Sequence, residues 1–193
     1  NQTDRLTSLV DNILGPNRKP TFELQNIHLP LENVTNLLKQ SLSESGIDLI
    51  KDYDPSIPEI SIDIYLLEQS ILNLINNAKE SLVDGEVLSP EIRIITRVLH
   101  RELLGEIQYK TVCKISVIDN GPGIPKNLKD SIFFPMISSK SKGSGLGLSI
   151  TQGIISQHNG AMKYESEPGR TEFSILIPIE HQFHEQELRS TNA

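Results

Sequence analysis

Apolar residues along this chain recur in two rhythms. A period of three to four marks helices. Over residues 3–14, Leu6, Leu9, Val10 and Ile13 form one stripe that Gly15-Pro16 ends. Over 30–44, Leu31, Val34, Leu37, Leu38 and Leu42 share a side. The longest helix is expected over 63–83, with Leu67, Ile71, Leu74, Ala78 and Leu82 in register and Asp84-Gly85 at its end. A further helix is expected over 146–158, closed by Asn159-Gly160.

A period of two marks strands. It predicts them at 21–28, at 47–53, at 91–99, at 109–118, at 161–166 and at 171–178, where Phe173, Ile175 and Ile177 alternate. The polar stretch from His100 to Gln108 predicts a hairpin with a long connection. Residues 120–145 carry little periodicity and are rich in Gly, Pro, Ser and Lys; a loop that long is usually functional or mobile. The sum is an α+β fold, a two-layer sandwich with helices on one face of a mixed sheet. The domain is expected over 21–180, with a lid at about 121–145. Residues 1–16 are expected to be the end of a longer helix, 17–20 a linker and 181–193 a disordered tail.

Composition narrows this picture. The hydrophobic share of 37% and charged share of 22% are those of a globular protein whose 193 residues bury a core without disulfides. The single cysteine, Cys113, excludes an intrachain disulfide and points to a reducing compartment; its alternation with Lys114 places it in a strand core. No apolar run approaches the roughly 20 residues of a membrane span, and no signal peptide is evident. The chain begins at Asn1 rather than Met, so a fragment is expected. A net charge of −7 argues against a polyanionic partner such as nucleic acid, yet leaves room for one nucleotide held by backbone N–H groups and a cation.

Three segments carry chemistry. Asn73, Asn77 and Glu80 form a polar stripe on the 63–83 helix, beside its apolar one. Asparagine is a weaker helix former than Lys or Glu, while its amide oxygen suits magnesium and its NH₂ suits a phosphate. Asp119 ends an apolar strand at the mouth of the turn Asn120-Gly121-Pro122-Gly123, where a carboxylate can accept a hydrogen bond from an exocyclic amino group. The run Gly143-Ser144-Gly145-Leu146-Gly147-Leu148 opens the last helix, so its N–H groups form an anion cradle, and Lys140 and Lys142 lie just upstream. Alone, each segment also fits an ordinary polar face, an Asp turn or solvated lysines. The five histidines show no metal-ligand spacing.

In this order the segments resemble the ATP-binding domain of sensor histidine kinases, the fold shared with DNA gyrase, Hsp90 and MutL ATPases. Asn73-Leu-Ile-Asn-Asn77-Ala resembles the family's N box and Asp119-Asn-Gly-Pro-Gly123-Ile-Pro its G1 box. Phe133-Phe134-Pro135-Met136 resembles the F box and 143–148 the G2 box; Ser166-Glu-Pro-Gly169 and Thr171-Glu-Phe173 resemble the final glycine motif. Arg5-Leu6 to Gly15-Pro16, Asp52-Tyr53-Asp54-Pro55 and Pro168-Gly169-Arg170-Thr171 are similar to the nitrogen-regulation branch, in which 3–14 would end the dimerisation hairpin.

The resemblance implies ATP and Mg²⁺ as cofactors. It implies Asn77 as the metal ligand, Asn73 on the phosphate side and Asp119 on the adenine amino group. Gly121 and Gly123 would shape the adenine pocket, Gly143, Gly145 and Gly147 the lid hinge, and Lys140 would contact phosphate. Glu80, Ile124, Ser144, Leu146, Leu148 and Thr171 would complete the nucleotide-binding set. It further implies a cytoplasmic kinase with an NtrC-type response regulator and a PII signal protein as partners, and a homodimer for the full-length protein. None of the histidines stands in the phosphoacceptor motif, so the phosphorylated imidazole is expected outside this chain. The gyrase-type ATPases resemble the same fold but carry a glutamate base near the position of Asn73, so hydrolysis is disfavoured. A nucleotide-gated interaction module is the remaining alternative.

Overall fold

The computed structural model describes residues 19–137 and 145–179. The helix expected over 3–14, the tail 181–193 and the candidate residues Lys140, Gly143 and Ser144 lie outside the described residues. The described chain runs β1 (Glu23–Gln25), α1 (His28–Glu44), β2 (Asp48–Asp52), β3 (Ile60–Ile62), α2 (Ile64–Asp84), β4 (Glu91–Leu104), β5 (Ile107–Asp119), α3 (Gly147–Gln157), β6 (Ala161–Glu167) and β7 (Arg170–Pro178), with a short 3₁₀ turn at Lys129–Ser131.

The main sheet has the order β2-β4-β5-β7-β6, and β1 and β3 form a separate antiparallel pair. Only β2 and β4 are parallel in the main sheet, so it is mixed, as the alternating pattern implied. Its inner face carries Ile92, Ile94, Cys113, Ile115, Val117, Phe173, Ile175 and Ile177. These pack with Leu31, Val34 and Leu38 of α1, Leu67, Ile71, Leu74 and Ala78 of α2, and Ile154 and Ile155 of α3 in one core. Among the described residues no helix is long and apolar enough to cross a membrane.

The helix that carries the polar stripe is fixed at its start by Asp63. Its Oδ1 accepts the Leu66 N–H at 3.2 Å and its Oδ2 accepts the Thr21 N–H at 2.7 Å. The Asp63 N–H donates to His158 Nε2 at 3.1 Å, and His158 Nδ1 in turn donates to Ile154 O at 2.9 Å. That pair of bonds selects the neutral Nδ1–H tautomer. The α2 N-terminus, the chain entering at Thr21 and the end of α3 are thereby tied at one residue.

Three expectations need correction. The strand expected over 21–28 is confined to Glu23–Gln25, because Asn26 turns the chain: its side chain accepts the His28 N–H at 2.9 Å and its carbonyl the Leu29 N–H at 3.0 Å, starting α1. β3 is an additional strand, too short for alternation to reveal. His100–Gln108 is no long connection: β4 and β5 continue to a tight turn with Leu104 opposite Ile107. Arg101 sits at φ +58°, which interrupts the pleat. Leu99 and Leu104, five apart, therefore reach the same cluster with Tyr109, Val112, Leu176 and Ala161 on the outer face. That break in the pleat is what hid the alternation.

Candidate functional site

A cavity of about 330 Å³ opens between α2, the end of β5 and the start of α3. The polar stripe of α2 supplies Asn73, Asn76, Asn77, Glu80 and Ser81 to it. β5 supplies Asp119, β7 supplies Thr171 and Phe173, and α3 supplies Gly147 and Leu148. The chain between β5 and α3 adds Gly123, an apolar wall of Ile124, Leu128, Ile132 and Ile137, and Gly145. One end of the cavity is thus an acid among flat apolar walls. The other is a row of amides beside a helix N-terminus, which carries partial positive charge.

Asp119 is 5% exposed. Its Oδ1 accepts the Gly121 N–H at 2.9 Å. A Cβ on Gly121 would approach that oxygen to 2.7 Å and Ser81 Oγ to 2.8 Å, so any side chain there displaces the carboxylate. Asp119 stands opposite buried Thr171 in the β5–β7 register.

The glycine turn is fastened to the β6–β7 hairpin. Thr171 Oγ1 lies 3.0 Å from Ser166 Oγ, which accepts the Ile124 N–H at 2.8 Å, and the Gly169 N–H donates to Gly121 O at 2.9 Å. Gly123, at φ +85°, packs so closely that a Cβ would meet the Glu167 carbonyl at 2.9 Å. Tyr164 donates its hydroxyl to Lys129 O at 2.7 Å, and Lys129 Nζ donates to Ser166 O.

At the amide end, Asn73 Nδ2 lies 3.4 Å from Gly147 O and 3.3 Å from Thr151 Oγ1. The N-cap position of α3 is Leu146, whose apolar side chain makes no cap hydrogen bond. The Met136 N–H donates to Gly145 O at 3.0 Å, which brings together the two ends of the segment between them.

Of the predicted site residues, Asn73, Asn77, Glu80, Asp119, Gly123, Ile124, Gly145, Gly147, Leu148 and Thr171 line this one cavity. Gly121 stands behind Asp119 rather than on the surface of the cavity, and Leu146 is buried beneath the start of α3. Ser81, Thr151 and Ser166 are additions. Ser81 continues the i, i+4 spacing of Asn73 and Asn77 and was readable from it. Thr151 and Ser166 owe their roles to partners distant in sequence.

The donor chemistry suits one hard cation shared with a polyphosphate. Among the described residues no group of three or more His, Cys, Asp or Glu could hold a metal alone. A neutral amide such as Asn77, with phosphate oxygens and waters, is an ordinary magnesium arrangement.

Comparison with known proteins agrees with this geometry. The family model "Histidine kinase-, DNA gyrase B-, and HSP90-like ATPase" matches residues 62–181. The sensory histidine kinase/phosphatase NtrB of Vibrio alginolyticus is 43% identical over 178 residues, covering 92% of this chain and 50% of its own. That of Rhizobium meliloti is 35% identical over 187 residues, covering 92% and 47%. The chain thus spans about half the length of the curated relatives it matches. The catalytic domain of histidine kinase ThkA in a nucleotide-free form superposes with a TM-score of 0.69 at 28% identity, covering 82% of this chain and 96% of that one. ThkA in complex with response regulator TrrA gives 0.72 at 25%, covering 93% and 48%.

Proposed function

This chain belongs to the histidine kinase-, DNA gyrase B- and HSP90-like ATPase family, and from that premise we propose that it is the ATP-binding catalytic domain of a nitrogen-regulation sensor histidine kinase. It holds MgATP and delivers the γ-phosphoryl group to a histidine outside the chain, from which a response regulator of the NtrC type takes it. The carrying observation is the convergence of Asp119, the amide row of α2 and the first turn of α3 on one cavity.

In this reading Asp119 accepts a hydrogen bond from the adenine amino group, with Thr171 beside it and Ile124, Leu128, Ile132 and Phe173 against the ring. Gly121 keeps the carboxylate in place and Gly123 fixes the turn. Asn77 ligates Mg²⁺, which neutralises phosphate charge when bound. Asn73 and Glu80 serve the phosphate side, and the N–H groups from Gly145 to Leu148 cradle phosphate oxygens. Lys140, Gly143 and Ser144 complete the phosphate contacts. Catalysis is then mostly positioning and charge neutralisation. A cytoplasmic location, a homodimeric full-length protein and control by a PII signal protein through the segment around 121–145 follow from the same reading. Crosslinks to PII confined to residues 21–55 would contradict that control point.

The gyrase-type ATPase reading is weaker because the amide of Asn73 cannot act as a general base for water. Calorimetric titration of ATP with and without magnesium tests the proposal. Wild type is expected to bind, Asp119→Asn to lose at least about tenfold in affinity, and Asn77→Ala to lose the magnesium dependence. A wild type that neither releases heat nor displaces a fluorescent ATP analogue overturns the reading.

A further inference from the structure

We infer that Thr151 is a positioning residue for the site: it locks the side-chain amide of Asn73 with its nitrogen toward α3, so that only the carbonyl oxygen serves the cavity. This rests on reading the cavity as an ATP site. Thr151 is fully buried on the first turns of α3. Its hydroxyl proton is committed, because Thr151 Oγ1 donates to Gly147 O at 2.8 Å. The lone pairs of that oxygen are what remain for Asn73, whose Nδ2 lies 3.3 Å away. Gly147 O, 3.4 Å from the same nitrogen, is also an acceptor.

Two acceptors therefore face one end of the Asn73 amide. Turning the amide over would set Asn73 Oδ1 against the Gly147 carbonyl, and Thr151 could donate to it only by giving up its bond to Gly147 O, so the flipped amide loses on both contacts in a poorly solvated site. The orientation is fixed by this wiring. An amide oxygen aimed into a cavity is a ligand for magnesium or its water shell and is no donor to a phosphate. Asn73 thus serves the cation side of the phosphate end, alongside Asn77, and Thr151 acts on the nucleotide through Asn73.

The test pairs Thr151→Val, which keeps the shape and removes the hydroxyl, with Thr151→Ser, which keeps the hydroxyl. In the nucleotide-free protein, the Asn73 side-chain NH₂ resonances, assigned by their loss in Asn73→Ala, are expected to move in Thr151→Val and to stay near wild type in Thr151→Ser. In titrations, Thr151→Val is expected to lose about tenfold of the gain in ATP affinity that magnesium provides, with magnesium-free ADP binding unchanged, and Thr151→Ser to retain that gain. Unmoved resonances, or a magnesium gain intact in Thr151→Val, overturn the inference. So does a loss in Thr151→Ser equal to that in Thr151→Val, which would mark a packing role. A wild type that binds no ATP fails separately, by removing the reading on which the inference rests.

Discussion

Gly145 is held at φ +66°, and a Cβ there would lie 2.7 Å from the backbone of Met136 and Ile137. The left-handed conformation alone costs a non-glycine residue about 1–2 kcal/mol, and the clash is with backbone, which cannot swing away. Gly145→Ala is therefore expected to part the Met136–Gly145 hydrogen bond and lower ATP affinity by roughly tenfold, with little change in melting temperature, as titration and thermal melts would report. Burial lowers the pKa of His158 from its ordinary value, outweighing the opposing pulls of the Ile154 carbonyl and Asp63. A depressed imidazole pKa means that the neutral form is favoured on folding. The associated stability is complete above the unfolded value of about 6.5 and is lost as pH falls through the lower folded value. Melting temperatures recorded from pH 7.5 to 5 are expected to fall, and to fall less steeply in His158→Gln. Cys113, its thiol pushed up to about 12 by burial, is expected to resist alkylation until the domain unfolds. At this scale the site was largely legible. Asn77, Asp119 and the glycines are local patterns, whereas Thr151 and Ser166 act across 78 and 42 positions of sequence separation, which no local pattern encodes.

At the scale of elements, the long helices were readable because their apolar stripes are continuous and their ends are punctuated by Asp63 and Gly85. The β4–β5 hairpin was readable in its two strands but not in its tip, because the Arg101 conformation breaks the alternation on which strand reading depends. That hairpin carries its own small core on the face away from the helices. Tyr109→Ala is accordingly expected to destabilise the domain by about 2–4 kcal/mol in urea unfolding while leaving ATP affinity unchanged. Loss of ATP binding in a folded Tyr109→Ala protein would contradict this separation of outer cluster and site. The same outer face holds Glu172. Burial works to raise its pKa, but Lys114 at 2.7 Å and the Ser116 and Ser174 hydroxyls outweigh burial and hold the carboxyl below its ordinary value.

For the molecule as a whole, the site is assembled from α2, β5, β7, the start of α3 and the chain between β5 and α3, yet the sequence supplies no histidine in a phosphoacceptor setting. Incubated with radiolabelled ATP, it is expected to remain unlabelled. Label is expected only when a separate histidine-bearing helix of a nitrogen-regulation kinase is added, and it should be lost in acid. Self-labelling would contradict the division of labour proposed above. The knot of bonds at Asp63 has a consequence for how the domain breathes. Two distant stretches of chain, at Thr21 and His158, join the helix's own Leu66 amide at that residue, so the first turn of α2 cannot fray alone. The amide protons of Thr21, Asp63 and Leu66 should therefore exchange with deuterium through one shared opening rather than three independent ones. The helix that bears Asn73 and Asn77 would then be released as a unit with the end of α3, making the persistence of the nucleotide site a property of a bond network some ten residues upstream of it.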